Sequence, residues 1–561
     1  MDNVSIADAC EAPWKEKAMA GRPPQMLKVS KWAELFSSRH PDAERFLHAT
    51  YGSALALRDD KRRQYLTALK HYGRRYGTDD QVFIVRAPGR INLMGRHVDH
   101  RGGDVNVIAI NDECIAIISA RDDDIIELSN SSPDTFADDR FSIEQLADDL
   151  TLHEWFTCIN SPRTIALVNH GGWENYIKGA ILRLHKRFQD RCLKGMRMSV
   201  HGNIPIGSGL SSSSALVVAT AKACIKINQL PVAPRELVDL CGEAEWFVGT
   251  RGGSGDHGAI RLGRCGDVAN MSFFPLAING YVPFPEDYRI VIVNSGIQAQ
   301  KMSTARAEFN SRILAYVVGE ALFKLAWPEL AERIEHLRDI SVDNLGVPLE
   351  KLYEMLLHIP RQITYGEIQA ISGRLSDRDR ARLEELGAAN LQSDKPLQVR
   401  NVLLYGIAEI RRAQLFSEYL KRGDEAGLRR LFKASHDGDR VVSYDGGDSP
   451  LPWTYQVTDE YLQDLSANLK SGARALQDSC RLEFQPGRYE CSVPRIDWIV
   501  DMAYRFEGVL GAQMAGAGLG GCAMVIARED CCEKVMSWYA QAGLAVHRYC
   551  PVDGADVVSL S

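Results

Sequence analysis

Residues 198–227 read MSVHGNIPIGSGLSSSSALVVATAKACIKI, and this passage decides the fold. Met198-Ser199-Val200 ends a strand, Gly202 to Pro205 turn the chain, and Ala215 to Ile227 is rich in Ala, Leu and Val with no breaker, which predicts a helix. The order is strand, glycine-serine loop, helix. Glycines let backbone N–H groups face an anion, and the helix dipole adds partial positive charge, so Gly207, Ser208, Gly209, Leu210, Ser211, Ser212 and Ser213 are expected to cradle phosphate. The hydroxyls of Ser212 or Ser213 are candidates for phosphate or Mg2+. The loop lacks the Gly-Lys-Ser/Thr ending of a P-loop, which removes the ordinary NTPase reading. Taken alone, a serine-glycine loop also caps ordinary helices, so the signal needs partners.

Two other segments supply them. Gln81-Val82-Phe83-Ile84-Val85 predicts a strand that stops at Ala87-Pro88-Gly89, and Val105 to Ile110 predicts another. Between the two lies a polar, glycine-bearing loop, RAPGRINLMGRHVDHRGG over 86–103. Near the other end, residues 511–522 read GAQMAGAGLGGC, whose five glycines require tight turns or close backbone approach, before a buried strand over Ala523 to Ala527. Trp32, Leu35 and Phe36 share a helical spacing, as do Phe46, Leu47 and Tyr51 ahead of a charged stretch from Arg58 to Arg75, which predicts an N-terminal helical addition. Residues 1–26, with Gly21, Pro23 and Pro24, read as a loosely held extension, and 445–490 as an insertion without clear register.

Composition bounds the rest. A chain of 561 residues, 45% hydrophobic and 25% charged, buries full cores. Its 66 basic and 73 acidic residues leave a net charge of −7 with no basic run interleaved with aromatics, which argues against nucleic acid as a ligand. No secretory signal and no long apolar run is seen, and thirteen cysteines without paired CxxC motifs read as reduced thiols, so a soluble cytoplasmic protein is expected; the sequence does not choose between monomer and homodimer.

Together the three segments resemble the three motifs of the GHMP kinases, and Ala87 to Gly103 resembles the sugar signature of their galactokinase branch in particular. The resemblance implies an α/β, two-lobed fold of mixed sheets and helices, with an N-terminal lobe over 27–290, a C-terminal lobe over 291–561 and the active site between them. It implies MgATP and a sugar as substrates and the sugar 1-phosphate as product. Arg90 falls where galactokinases carry an arginine that steadies the phosphates or the nucleophile, and Asp256 where they carry the aspartate near the anomeric hydroxyl. A carboxylate in reach takes the hydroxyl proton, and a guanidinium beside it keeps it ionised. The resemblance also places a Mg2+-binding glutamate on the helix before Gly249, ambiguous between Glu243 and Glu245, puts Gly253 in the sugar site, and assigns Gly516, Gly518 and Gly520 to the third, structural glycine motif.

Departures from the family pattern bear on the sugar. Galactokinases place a glutamate before the motif's histidine, facing the C6 end of the sugar, whereas Arg96 precedes His97 here. An arginine reverses the charge and offers a two-pronged edge to a carboxylate. Asp99 is kept, His100 follows it, and Phe309 stands where a sugar-contacting tyrosine is common; the Asp-His pair and SGIQAQ from Ser295 look more like galacturonate kinases. The expectation is a galactose-type sugar or its uronic acid, with Arg96 on the C6 carboxylate and Asp99 on a ring hydroxyl. In the competing reading Arg96 points to solvent or pairs with Asp104. Rival functions are a catalytically silent sugar and ATP sensor, which Arg90 and Asp256 argue against, and a GHMP kinase for a non-sugar alcohol, which His97 and Asp99 argue against.

Overall fold

The computed structural model describes residues 25–150, 154–298, 303–387 and 395–560, and the side chains of all of these except 303–307 and 385–387. The expected extension over 1–26 therefore lies outside the described residues but for its last two positions.

A nine-stranded sheet is built around two long antiparallel strands, Gln81–Met94 and Val105–Ala120. Met196–Gly202 joins the second of these, and Ile125–Asn130 then pairs with Met196–Gly202 in parallel. Side chains alternate across the first strand. Phe83, Val85 and Ala87 enter a core shared with helices Glu174–Arg187 and Ser212–Asn228, while Val82 and Ile84 face the N-terminal helices Val29–Ser37, Pro41–Tyr51 and Leu55–Tyr76. Because both faces are covered, the strand reads as one continuous apolar run.

The strand does not stop at Pro88, contrary to the sequence expectation. It continues to Met94 through a register shift between Pro88 and Arg90, and the irregularity absorbs the ladder donor that proline lacks. The shift delivers Arg90 to the end of the sheet where the glycine-serine loop lies.

A second, four-stranded antiparallel sheet runs in the order Val509–Met514, Cys522–Arg528, Tyr288–Asn294, Val546–Tyr549. Its two faces also alternate: Ile290, Ile292, Met524 and Ile526 enter the first core, and Val291, Val293, Ala523 and Val525 enter a second one among the C-terminal helices. The chain then returns to the first sheet, where Asp556–Val557 pairs with Arg86 and Val85. The stretch read as an insertion at 445–490 holds helix Asp459–Lys470, helix Arg474–Ser479 and part of the second core, including Leu462 and Leu465.

The N-terminal helices are fastened to the sheet by a buried charge cluster. Glu113 accepts from Arg86 Nε at 2.8 Å and Tyr51 Oη at 2.6 Å and pairs with Lys61 Nζ at 3.2 Å. Burial pushes the Glu113 carboxyl up, yet Lys61 and Arg86 hold it below its ordinary value. Replacing Glu113 with Gln strands two buried cations and is expected to cost about 3–5 kcal/mol of unfolding free energy, read from urea denaturation. A loss below about 1 kcal/mol, as for an exposed pair, would remove the cluster's role as a fastener.

Candidate active site

The glycine-serine loop links strand Met196–Gly202 to helix Ser212–Asn228, as its sequence predicts. Gly209 has φ +81° and sits so close to the third glycine motif that a Cβ on it would lie 2.6 Å from the Ala515 carbonyl oxygen. A Cβ on Gly516, at φ +76°, would lie 2.5 Å from the Gly209 carbonyl oxygen. Two backbones in van der Waals contact leave no room for side chains, which is why both segments are glycine-rich. Gly516 and Gly518 line the cavity with Gly207 to Ser213, and Gly520 lies outside the lining.

Arg90 reaches this loop from the sheet. Its backbone N–H donates to the Leu210 carbonyl at 3.1 Å and its Nη1 to the Gly209 carbonyl at 2.6 Å. Nε and Nη2 then hold the two oxygens of Asp256 at 2.6 and 2.5 Å, and Ser211 Oγ donates to the same carboxylate. Asp256 sits in the first turn of helix Gly255–Leu262 with its side chain 35% exposed, facing the cavity while Arg90 is buried. A two-pronged guanidinium and a loop hydroxyl fix the orientation of this carboxylate at the cavity wall.

Asp99 closes the far side. Burial pushes its carboxyl up, but the His100 hydrogen bond and charge and the Gly255 N–H outweigh that and hold it at about 2. Gly253 lies against it: a Cβ there would come within 2.3 Å of Asp99 Oδ2. His97, at φ +62°, stacks on Tyr489 with ring centroids 4.4 Å apart and meets the edge of Phe309 at 6.1 Å. Arg90, Arg96, His97, Asp99, Gly253, Asp256 and Phe309 thus line one cavity with the glycine-serine loop.

The two glutamates separate. Residues two apart on a helix point about 200° around its axis from one another, so Glu243 and Glu245 of helix Pro234–Glu245 occupy opposite faces. Glu245 lines the cavity with Ser212 and Ser213 and accepts from Ser214 Oγ at 2.7 Å. Glu243 accepts from Arg183 Nε at 2.6 Å and stays out of that cavity, so the structure does not bring it to the loop serines.

Arg96 differs from both readings of it. It is buried, neither solvent-facing nor paired with Asp104, and its Nη2 donates to Asp439 Oδ2 at 2.8 Å and to the Ser435 carbonyl at 3.3 Å. Both two-pronged edges of a guanidinium include Nη2, so the fork expected for a substrate carboxylate is already engaged, and only Nε and Nη1 are left without partners. Asp104 instead accepts from Asn279 at 3.2 Å.

Asp439, Glu409 and Asn310 are the residues that sequence reasoning missed. Glu409 is fully buried and accepts from the backbone N–H groups of Gly95 and Arg96 at 2.9 and 3.1 Å, pinning the loop from helix Val399–Arg422. Asn310 lines the cavity with a buried, unpartnered Oδ1. Asp439 and Glu409 lie far along the chain from the three motifs, and the helical period that puts Tyr405, Glu409 and Arg412 on one face is a signal for Glu409 alone, whereas Asn310 directly follows the candidate Phe309.

Comparison with known proteins follows the same outline. The profile of the GHMP kinases N terminal domain matches residues 175–264, the galactokinase galactose-binding signature 70–120, and the GHMP kinases C terminal domain 462–533. The last of these covers much of the stretch read as an insertion. A galactokinase of Dictyostelium discoideum is 25% identical over 475 residues, spanning 83% of this chain and 84% of that protein. One from Roseiflexus sp. (strain RS-1) is 26% identical over 474 residues, 84% of this chain and 90% of that one. Lactococcus lactis galactokinase, solved with galactose, superposes with a TM-score of 0.57 at 20% identity, covering 87% of this chain and 98% of that one, and so shares the fold.

His97 gives the cavity a pH signature. Burial, foremost, and the charges of Arg96 and His100 push it down to about 4 against the opposing pull of Asp439 and Glu409. The unfolded chain takes up this proton near pH 6.5 while the folded one refuses it until about 4, so stability is full above about 6.5 and falls as pH drops through that window, by up to about 1.4 kcal/mol per pH unit. His97→Gln is expected to flatten that part of the slope in urea denaturation between pH 7 and 4.5. Parallel pH profiles for the two proteins would show that His97 is not held neutral.

Proposed function

Because the chain belongs to the GHMP kinases, in their galactokinase branch, we propose that it transfers the terminal phosphoryl group of ATP to the anomeric hydroxyl of a galactose-type sugar, releasing ADP and the sugar 1-phosphate. The observation that carries the reading is the Arg90–Asp256 pair, set against the glycine-serine loop and sharing one cavity with Asp99.

Each part has a task in the transfer. The loop N–H groups and the start of helix Ser212–Asn228 hold the ATP phosphates. The anomeric oxygen attacks the terminal phosphorus, the bond from that phosphorus to the ADP oxygen breaks, and the hydroxyl proton passes to Asp256. Arg90 holds the Asp256 carboxylate in place with two hydrogen bonds and offsets charge on the phosphoryl group as it moves. Asp99 and the Asn310 amide oxygen accept from sugar hydroxyls, and Gly253 leaves the room for that contact. Ser212, Ser213 and Glu245 offer the all-oxygen donor set that suits Mg2+, which would shield the phosphates and orient them.

An acidic acceptor remains within this class, but the engaged fork of Arg96 is poorly placed to select it. A silent sensor would have no use for a carboxylate gripped by a guanidinium beside a hydroxyl site.

ADP release with MgATP and galactose, galacturonate, glucuronate, arabinose, fucose and N-acetylgalactosamine tests the class directly. Asp256→Asn is expected to lower kcat on the preferred sugar by about 10²–10⁴ with a smaller effect on the KM for ATP. A loss under tenfold would take the base role from Asp256, and no turnover on any sugar would leave the sensor as the better account.

A further inference from the structure

A second chamber of about 430 Å3 backs onto the proposed acceptor cavity. The two share Asp99, His100, Gly252 and Gly253, so only that wall divides them. Its lining includes Trp246, Phe273, Phe274 and Val317, the carboxylates of Asp239, Glu243 and Glu320, and the guanidinium groups of Arg101, Arg251 and Arg382.

Arg101 is the group that the proposed transfer does not use. Among the described residues it donates no side-chain hydrogen bond and has no carboxylate within salt-bridge distance, and its buried Nε has no partner. Three of the four carboxylates that line the chamber are committed elsewhere. Glu320 bonds Lys324 and Arg382, Glu243 bonds Arg183, and Asp99 holds the Gly255 N–H, while Asp239 is on an exposed position of its helix. Burial, with Arg382 nearby, pushes the Arg101 guanidinium below its ordinary value despite the field of Glu320. Arg101 is half-buried, and a partly desolvated cation without an ion pair gains from an anion brought to it by a ligand.

The geometry points to a second compartment of the acceptor site, in which Arg101 takes an anionic group, a carboxylate or sulfate ester carried on the sugar, from the side opposite Arg96. This rests on the sugar-kinase reading and deepens it: an acidic sugar is selected at Arg101 and not at the engaged fork of Arg96. The same chemistry would admit a free oxyanion bound beside a neutral sugar, so the test needs an arm for each source.

The ratio of kcat/KM for galacturonate and galactose 6-sulfate to that for galactose is measured for the full chain and for Arg101→Gln, Arg101→Lys and Arg96→Gln. Calorimetry with sodium sulfate alone, and with each acidic sugar alone, runs in parallel on the same proteins. A fall of tenfold or more in that ratio for Arg101→Gln, partly restored in Arg101→Lys, supports the substituent. An unchanged ratio, with sulfate binding that Arg101→Gln abolishes, assigns the chamber to a free anion instead. A ratio lost only in Arg96→Gln, or no anion binding that depends on Arg101, overturns the inference. Should no sugar release ADP, the kinase reading fails by itself, and calorimetry with the acidic sugars still decides whether Arg101 binds them.

Discussion

The contact on which the structure depends is backbone against backbone. The glycine-serine loop of the first sheet and the Gly511 to Cys522 segment of the second meet where Gly209 lies under Ala515 and Gly516, too close for any Cβ. That contact sets the loop N–H groups at the head of helix Ser212–Asn228, and the Arg90 hydrogen bonds to the Gly209 and Leu210 carbonyls depend on the loop staying there. Asp256 follows in turn, since Arg90 and Ser211 hold its carboxylate. A shift of one glycine would therefore move the loop, the arginine and the carboxylate together.

A second constraint acts on the acceptor side. Arg96 and Arg412 are buried against Asp439 and Glu409, two cations with two anions; Glu409 also ties down the Gly95-Arg96 backbone, and Asp439 stands 3.6 Å from His97. Balanced in this way, the floor of the cavity presents hydrogen-bonding groups with little net charge, which suits neutral hydroxyls. The cation without an ion pair lies five positions further on, at Arg101. Within six residues, then, one arginine is structural and the other is left available.

Much of this was legible in the chain because the chemistry is local. A strand, a glycine-rich turn and an alanine-rich helix declare themselves within thirty residues, so the loop and its helix are read directly, and Arg90 and Asp256 stand in motifs with their own spacing. The extent of the first strand was not legible, because Pro88 reads as a stop until a bulge in a paired strand accommodates it. The choice between Glu243 and Glu245 turns on a helix face that only packing fixes. The fate of Arg96 was hidden because its partner Asp439 lies more than three hundred positions away, with no pattern linking the two.

The central claim is transfer of phosphate to the anomeric oxygen, and the position of the phosphate in the product tests it most directly. Phosphorus NMR of the product from MgATP and the preferred sugar is expected to show one phosphate ester coupled to the anomeric proton, together with an equal amount of ADP. A phosphate coupled to any other ring or side-chain position, or ADP formed without a sugar ester, would contradict the account.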